Sequence, residues 1–401
     1  MTQHNIPNLR FPEFSEIWEE KKIENIIISY KLGGNYSNTE NPTNYPLIKM
    51  GNLDRGYIKI NKIEYIPEQE EKNDDDIIKY GDLFFNTRNT LDLVGKVAIW
   101  KNELPVAYFN SNLMRIEFKD NFFMNYRLNS VQGIIALRRL ATGTTSVAAI
   151  YTKDFLKIKL HIPSLPEQQK IASFLSAVDK KIEQLQKKKE LLEQYKKGMM
   201  QKLFSREIRF KDDNGKVFPE WEEKELLEVV NFVNGKAHEQ NISENGKYIV
   251  INSKFISSNG TIQKFSDQQI CPVKKDDIVM VMSDVPNGKA LSKCYYVLSD
   301  NLFTLNQRIC LLRSNSNVYP KFLFYIINRN KYYLAFDSGV GQTNLKKEDV
   351  LTCPLFIPNS LKEQTKIADF LTAIDDKVAL IGKELEGAKT FKKGLLQQMF
   401  V

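Results

Sequence analysis

The amino-acid sequence predicts a mixed α/β protein of two globular domains with irregular β-sheets and two long antiparallel coiled-coil helices. Three observations lead to this fold class. One segment returns 196 positions later in the chain, both copies carry a heptad pattern of apolar residues, and β-rich segments of similar length precede each copy. Together they predict an internal pseudo-two-fold repeat.

The repeat is clearest in the two predicted helices. Residues 167–175 (EQQKIASFL) return as residues 363–371 (EQTKIADFL), an offset of 196. Held fixed from 167 to 204 and from 363 to 400, this offset gives 17 identities in 38 positions. Chance does not produce such agreement, so the chain contains a duplication.

A second repeated element marks the start of each globular segment. Residues 18–21 (WEEK), after 11–13 (FPE), return as residues 221–224, after 218–220 (FPE). This offset is 203, so the two intervening segments differ in length. The predicted order is a first globular domain at residues 1–162, a helix at 163–205, a second globular domain at 206–357 and a helix at 358–401.

Apolar residues spaced alternately by four and three form a seam along each predicted helix. A lone helix cannot bury such a seam, so it must pack against a partner. Packing on the neighbouring domain and dimerisation of the chain are alternatives, but matched lengths favour pairing within the chain. The intervening domain makes that pairing antiparallel. The predicted seam is Ile171, Leu175, Val178, Ile182, Leu185, Leu192, Met199, Leu203, Ile367, Leu371, Ile374, Val378, Ile381, Leu385, Leu395 and Met399, with Lys189, Lys196, Ala388 and Lys392 at the remaining places.

Between the helices, short apolar runs bounded by Gly, Asn and Asp predict strands. Residues 81–88 and 276–283 each begin with an acidic turn and continue as a buried strand. Strands are also expected at 45–50, 56–60, 246–251 and 260–263, and helices near 126–140 and 321–334.

Composition narrows the classes of function. The 401 residues include 57 basic and 49 acidic side chains, and the net charge of +8 suits a polyanionic partner if the excess gathers on one face. We expect no secretory signal and no membrane span, hence a cytoplasmic protein. The four cysteines lack the spacing of a metal site, which favours small buried apolar roles.

No catalytic motif is found. A phosphate-binding loop, an adenine-methylation pocket and a histidine base beside a nucleophile are all missing from the sequence, and residues 33–34 (GG) lack dinucleotide-loop spacing. Residues 74–76 (DDD) could suggest a metal, but adjacent carboxylates project in different directions, so a solvated turn is favoured. We therefore expect a non-catalytic chain with no metal and no cofactor of its own.

This arrangement resembles the specificity subunits of type I restriction–modification systems, over nearly the whole chain. The helix starts at 162–168 (IPSLPEQ) and 357–364 (IPNSLKEQ) carry the resemblance, with the helix ends at 196–198 and 392–394 (KKG). The FPE and Trp domain starts add to it. One departure is Lys362, where the first copy has Pro166.

The resemblance implies a non-catalytic DNA-recognition subunit with two target-recognition domains. Each would read one half of a bipartite asymmetric duplex DNA site. The paired helices would act as a spacer and dock two modification subunits that methylate adenine, and restriction subunits would join that core. S-adenosylmethionine, ATP and Mg would belong to those partner subunits, which accounts for a chain without catalytic motifs.

Base readout needs polar side chains at loops and strand ends, so such residues are the candidates. For each, an ordinary solvated turn residue is the alternative. Arg138 and Arg139 are interpreted as a solvated helix face, with phosphate contact as the alternative. A scaffold that binds protein or peptide is a different functional class that also fits a repeat. The DNA-binding candidates are Lys49, Asn52, Arg88, Asn89, Lys96, Thr144, Thr145, Ser146, Lys254, Ser283, Lys289, Gln342, Thr343 and Asn344.

Overall fold

The computed structural model describes residues 6–144, 148–285 and 288–401. They divide into two compact units, Met1–Lys188 with Ile381–Val401, and Lys189–Leu380. We call these the first unit and the second unit. Each combines irregular sheets with part of both long helices, which confirms the predicted fold class.

The first unit begins with the strands and helices of its globular part and continues into a long helix. A short 3-10 turn follows the first strand, at Ile23–Asn25, and another lies at Asp74–Asp76. The strands are β1 Glu19–Lys22, β2 Ile27–Leu32, β3 Pro46–Ile48, β4 Glu64–Tyr65, β5 Leu83–Asn86, β6 Arg88–Asn89, β7 Val97–Ile99, β8 Tyr108–Phe109, β9 Leu113–Phe118, β10 Thr142–Gly143, β11 Ala148–Ala149 and β12 Lys159–Ile162. The helices are α1 Asn121–Asn129, α2 Val131–Arg139, α3 Thr152–Phe155 and α4 Leu165–Phe204.

The second unit repeats this order with small differences. Its 3-10 turns lie at Leu226–Glu228 and Glu239–Asn241. The strands are β13 Trp221–Glu225, β14 Val230–Asn234, β15 Tyr248–Ile251, β16 Phe265–Ser266, β17 Ile278–Val281, β18 Ser283–Asp284, β19 Cys294–Tyr296, β20 Phe303–Leu305, β21 Ile309–Ser314, β22 Thr343–Asn344 and β23 Pro354–Pro358. The helices are α5 Ser253–Ser257, α6 Pro320–Ile327, α7 Lys331–Leu334, α8 Lys347–Leu351 and α9 Leu361–Gln398.

The sheets of the two units correspond one to one. A four-stranded antiparallel sheet has the order β2-β9-β5-β7 in the first unit and β14-β21-β17-β19 in the second. A three-stranded sheet, β4-β3-β8 or β16-β15-β20, contains one parallel pair in each unit. The strand before the globular part pairs with the strand before the long helix, as β1-β12 and β13-β23. The repeat therefore extends to sheet topology.

Two glycines allow the same close approach of backbones in both units. A Cβ atom on Gly33 would lie 2.2 Å from the carbonyl oxygen of Phe109, and one on Gly235 would lie 1.9 Å from that of Asn306. Only a residue without a Cβ fits at these positions. The glycine pair at residues 33–34 thus serves chain packing.

The long helices run antiparallel within each unit. In the first unit, Leu395 and Met399 near the end of α9 share a core with Ile171 and Leu175 at the start of α4. In the second unit, the end of α4 packs in the same way against the start of α9. The buried seam side chains are Ile171, Leu175, Leu185, Leu203, Ile367, Leu371, Ile374, Ile381, Leu385, Leu395 and Met399. The half-buried ones are Val178, Ile182, Leu192, Met199 and Val378.

Three local expectations were wrong. Within the described residues, 56–60 and 260–263 form turns and isolated bridges rather than strands. Residues 74–76 are not a solvated turn throughout, because the Asp76 side chain is buried, accepts a hydrogen bond of 2.7 Å from the hydroxyl of Tyr36 and lies 2.9 Å from Lys31 Nζ. The partners of Asp76 come from β2 and the loop after it, and such distant contacts leave no local pattern in the sequence.

Candidate nucleic-acid interface

A small polar sheet lies at the edge of the first unit, and we call it the first polar ladder. Strand β11 pairs on one side with β6 and on the other with β10. Arg88 is exposed on β6, while the side-chain oxygen of Asn89 accepts a hydrogen bond of 2.8 Å from Thr90 N. Thr144, also exposed, directly follows β10. These three candidates are therefore neighbours, and the candidates Thr145 and Ser146 lie outside the described residues.

The second unit has a related sheet of β18 and β22, which we call the second polar ladder. Gln342 donates a hydrogen bond of 2.6 Å from Nε2 to the Ser283 hydroxyl. Ser283 and Thr343 are buried, with 7% and 9% of their surface exposed, whereas Gln342 and Asn344 are exposed. The structure thus brings together four of the candidates, and two of these, Gln342 and Asn344, are exposed to a partner.

Strand pairing corrects one expected correspondence between the units. The sequence suggests that residues 144–146 match residues 342–344, because each set follows a glycine. In the structure Thr343–Asn344 pair with β18 as Ala148–Ala149 pair with β6. Thr144 therefore precedes the strand that pairs with β6, whereas Thr343 and Asn344 belong to the strand that pairs with β18.

Three of the remaining candidates in the first unit hold a loop together. The Asn52 side chain is buried, and its Nδ2 donates hydrogen bonds of 3.0 and 2.9 Å to the carbonyl oxygens of Lys59 and Lys62. Lys49 forms an ion pair of 2.8 Å with Glu64. Lys96 donates to the carbonyl oxygen of Leu53 at 3.2 Å. Their side chains contact the protein itself.

The last two candidates are exposed lysines of the second unit. Lys254 lies on α5, and Lys289 lies on the connection between β18 and β19. Neither belongs to the strands of the second polar ladder. Both offer mobile positive charge near the surface, which suits phosphate contact better than base readout.

The globular part of the first unit is joined to both long helices by a cluster that we call the first junction: Tyr126, Ser176, Asp179 and Lys392. The Tyr126 hydroxyl on α1 donates a hydrogen bond of 2.8 Å to Asp179 Oδ2 on α4. Lys392 Nζ on α9 lies 2.5 Å from Asp179 Oδ1 and 5.8 Å from the centre of the Tyr126 ring. Burial, and then the Asp179 charge, raise the pKa of Tyr126 well above its ordinary value. The phenol therefore remains a proton donor.

The second unit contains the same arrangement, the second junction: Tyr325, Thr372, Asp375 and Lys196. Tyr325 donates to Asp375 Oδ2 at 2.8 Å, and Lys196 Nζ lies 2.5 Å from Asp375 Oδ1. Lys196 also lies 5.1 Å from the centre of the Tyr325 ring. Asp179 and Asp375, like Lys196 and Lys392, are related by the offset of 196. Each junction thus uses an aspartate from one repeat and a lysine from the other.

A buried arginine–glutamate pair ties the start of each unit to its long helix. Arg10 Nε lies 2.7 Å from Glu167 Oε1, and Arg209 Nη2 lies 3.1 Å from Glu363 Oε2. The hydrogen bond to its glutamate raises the pKa of each arginine. Trp18 Nε1 adds a bond of 3.2 Å to Glu167.

These pairs and junctions were missed by the sequence reasoning, although their residues are repeated. The two glutamates, the two aspartates and the two lysines all count among the 17 identities of the helix repeat. Identity at a polar position of an amphipathic helix was therefore the available signal. The heptad includes Lys196 and Lys392 among its seam positions but indicates no partner for their charges.

Metal and membrane sites find no support in residues 6–144, 148–285 and 288–401. Within these ranges no three His, Cys, Asp or Glu side chains gather as a metal site would require. None of the helices found there has the length and apolar character to span a bilayer. The four cysteines are buried, as predicted.

Comparison with known proteins agrees with this architecture. The family described as type I restriction modification DNA specificity domain matches residues 15–194 and 219–390. The putative type I restriction enzyme MjaX specificity subunit of Methanocaldococcus jannaschii is 25% identical, over 98% of this chain and 95% of that protein. The MjaVIII specificity subunit of the same organism is 26% identical, over 72% of each chain.

Solved structures share the fold. The S subunit of a type I restriction-modification system from M. genitalium aligns with a TM-score of 0.66 and 18% identity over 99% of both chains. A chain from a structural study of complex assembly and conformational transition in the type I R-M system aligns with a TM-score of 0.53 and 16% identity, over 94% of this chain and 96% of that one. Because the family match covers most of the sequence in two copies, the chain belongs to the specificity subunits of type I restriction-modification systems.

Proposed function

We propose that this specificity subunit, itself not an enzyme, reads a bipartite asymmetric site in duplex DNA, with one globular domain on each half. The paired helices fix the spacer between the half-sites and dock two modification subunits. The domains proposed for reading are residues 1–162 and 206–357, and the helices are 163–205 and 358–401.

One observation carries the proposal: the two units share their supporting contacts and differ in their polar ladders. The junctions share the tyrosine, the aspartate and the lysine and agree in distance, 2.8 Å for the tyrosine bond and 2.5 Å for the lysine pair. The ladders differ in nearly every side chain, with Arg88 and Asn89 in one and Ser283 and Asp284 in the other. Two domains that recognise different base sequences need the same attachment to the helices but different polar side chains at the DNA. This is because each base pair is distinguished by its pattern of hydrogen-bond donors and acceptors.

The helices also offer surface for partner subunits. Tyr195 and Phe391 occupy equivalent positions on α4 and α9 and are 50% and 56% exposed. Aromatic side chains are enriched at protein interfaces, so this repeated pair gives each helix a similar point for contact. A repeated surface supports the docking of two copies of one partner.

The chemistry belongs to those partners in this proposal. The modification subunits bring S-adenosylmethionine and methylate adenine, and the restriction subunits bring ATP and Mg. The specificity subunit contributes DNA recognition and geometry.

Exchange of one domain tests the proposal. Residues 18–160 are replaced by the first domain of a related subunit, and methylated adenines are mapped across the genome. One half of the target sequence is expected to change while the other half and the spacer stay as they were. A control exchange within residues 221–355 is expected to change the other half. If both halves change together in either chimaera, the domains do not read separately.

A titration with salt separates DNA recognition from a protein-binding scaffold. The complex with modification subunits is expected to bind duplex DNA with an affinity that falls steeply as salt rises, because bound phosphates release counterions. Binding that is absent, or independent of salt, would instead favour the scaffold.

A further inference from the structure

Arg55, in the loop after β3, has a guanidinium group without a hydrogen-bond partner. Its Nη1 and Nη2 atoms are shut off from solvent, and within the described part of the chain neither of them meets an acceptor. Burial, followed by the positive charge of Arg138, lowers the pKa of Arg55. A buried guanidinium normally has an anion beside it, because an unpaired charge in a protein is costly.

The carboxylate of Asp54, the residue before Arg55, is already paired with other groups. Asp54 forms ion pairs with Lys59 and, at 3.6 Å, with Lys96. Its Oδ1 also accepts a hydrogen bond of 2.8 Å from the backbone N–H of Arg55. Although partial burial opposes ionisation, the Lys59 and Arg55 N–H bonds lower the pKa of Asp54 to about 2. One negative charge thus faces two lysines and an arginine, so the cluster retains positive charge.

This charge lies beside the first polar ladder. The backbone N–H of Gly56 bonds to the carbonyl oxygen of Val97 at 2.8 Å, which fixes Arg55 against the start of β7. A Cβ atom on Gly95 would lie 3.3 Å from Cβ of Leu137, the residue before Arg138. The same Cβ atom would lie 3.1 Å from Cδ1 of Ile150, which directly follows β11, so Arg55 and Arg138 flank residues that adjoin the first polar ladder.

We propose that Arg55 and Arg138 form an anion site that takes a phosphate of the DNA backbone. This inference rests on the proposed function and adds a positioning contact to it. Arg138 is exposed at the end of α2, and no hydrogen bond or ion pair holds its side chain among the residues described. We expect the Arg138 side chain, which none of the described residues holds in place, to shift on binding, so that both guanidinium groups share the phosphate oxygens.

Arginine fits this ligand because its planar donor fork matches the geometry of a phosphate. Phosphate contacts fix register and orientation on the duplex without reading its sequence. The site therefore holds the DNA while the exposed side chains of the first polar ladder face the base edges.

A phosphate-binding Arg55 can be distinguished from an arginine that stabilises the fold, because its replacement should change the melting temperature and DNA binding in opposite directions. In the free protein the Arg55 side chain is half-buried and its Nη1 and Nη2 atoms are shut off from solvent without hydrogen-bond partners among the described residues, so replacing it by an apolar side chain of similar length removes a cost. Arg55→Met should thus raise the melting temperature while weakening DNA binding. An arginine that served the fold would lower the melting temperature when replaced.

The experiment compares the assembled complex carrying wild-type chain, Arg55→Met, Arg55→Lys or the control Lys119→Met. Lys119 is an exposed lysine between β9 and α1, in neither polar ladder, so it controls for the loss of one positive charge elsewhere on the surface. Binding to a target duplex and to an unrelated duplex is measured over a range of salt. Arg55→Met should weaken both about tenfold, since a charge-assisted bond is lost. The slope of log affinity against log salt should fall by about 0.9, the value for one phosphate.

Further outcomes distinguish DNA phosphate from free phosphate as the ligand, and failure of this inference from failure of the proposed function. Arg55→Lys should keep most of the salt slope and lose part of the affinity, and Lys119→Met should resemble wild type. If inorganic phosphate protects the wild-type chain from heat but Arg55→Met binds DNA normally, the site is one for free phosphate and the proposal fails. Equal DNA binding by wild type and Arg55→Met overturns the inference alone. Absence of duplex binding by wild type overturns the proposed function and this site with it.

Discussion

The two junctions and the two polar ladders differ in how closely the second unit repeats the first. Each junction joins a tyrosine of a globular domain to an aspartate of one long helix and a lysine of the other, with matching distances. The ladders keep their strand pairing but not their side chains, and the first has a third strand, β10, that the described part of the second does not have. The difference teaches that the contacts attaching each globular part to the helices are repeated, whereas the side chains of the ladders are not.

This division accounts for the location of the repeat in the sequence. Residues that hold a domain onto the helices must satisfy partners from both repeats, so a change in one copy requires a change in the other. Exposed residues at the ladder edge, such as Arg88 and Asn344, have no such partners among the described residues of the long helices and can change singly. The following predictions test that contrast, beginning with the largest effect on stability.

Charge placed in the helix seam should disrupt the whole support. Ile381 is 4% exposed, so Ile381→Glu buries a carboxylate among apolar side chains and should cost several kcal/mol of unfolding free energy. Thermal unfolding and methylation by the assembled complex report the loss. Leu380→Glu is the matched control, because Leu380 is 58% exposed and should tolerate the change. Methylation of a new sequence at a normal rate by Ile381→Glu would show that the helices read DNA.

The buried arginine–glutamate pairs should be the next most costly to break, and unequally so. Removal of one partner of a buried ion pair costs about 3–5 kcal/mol. Arg209→Met leaves Glu363 buried without its arginine, and no hydrogen bond from Trp221 Nε1 compensates. Arg10→Met leaves Glu167 with the Trp18 bond of 3.2 Å, so it should destabilise less. Chemical denaturation measures both, and an equal loss would contradict this role for Trp18.

The junction tyrosines should contribute less, and equally in the two units. Tyr126→Phe and Tyr325→Phe each remove one hydrogen bond to a carboxylate and should cost about 1–2 kcal/mol. The two losses should agree within experimental error, since the contacts match. A large difference between them would show that the units are not held in the same way.

Alkaline pH provides a second measure of the same bonds. Burial raises the pKa of Tyr126 and Tyr325 above the unfolded value of about 10, so the stability they add is fully present below that pH. It is lost as pH rises through the folded pKa, because the unfolded chain releases these protons first. Each tyrosine should contribute a fall of about 1.4 kcal/mol per pH unit above 10. The phenylalanine variants should show a shallower fall, and an unchanged profile would contradict the assignment.

Substitutions at the exposed ladder edges should leave stability almost unchanged. Arg88→Ala and Asn344→Ala remove exposed side chains and should alter unfolding free energy by less than about 0.5 kcal/mol. Each should relax base preference in its own half-site by about 1–3 kcal/mol of discrimination. Mapping of methylated adenines checks this, with Lys119→Ala as the control. Unaltered base preference in both variants would exclude these residues as readers.

The sequence predicted those elements of the fold whose residues follow a regular pattern along the chain. The heptads located both long helices, and residues 81–88 and 276–283 contain the buried strands β5 and β17. Periodicity suffices for such elements because each residue's environment follows from its place in the pattern. The candidate site was predicted only as a set of polar loops.

The remainder depends on contacts between distant residues. Asn52 was predicted to bind DNA, and in the structure its side-chain amide donates hydrogen bonds to carbonyl groups of the turn that follows. Ser283 was chosen for its position after a strand, and Gln342 covers it from 59 positions away. Nothing in the local sequence around Arg55 marks it as a site, because the lack of a partner for its terminal nitrogens exists only in the folded chain. Hydrogen-bond satisfaction is a property of the folded chain, and no local pattern encodes it.

The end of α9 completes the hydrophobic core of the first unit, and this has a consequence for the order of folding. Phe400 is buried against Trp18 and Phe123, and Arg127 donates a hydrogen bond of 2.5 Å to the carbonyl oxygen of Val401. On the ribosome, the first domain to be synthesised must therefore wait for residues made some 270 positions later. The second unit has every residue it needs once Leu380 has emerged. The unit translated first is thus the last to finish folding, and its unfinished apolar face is the one that nascent-chain chaperones would meet for longest.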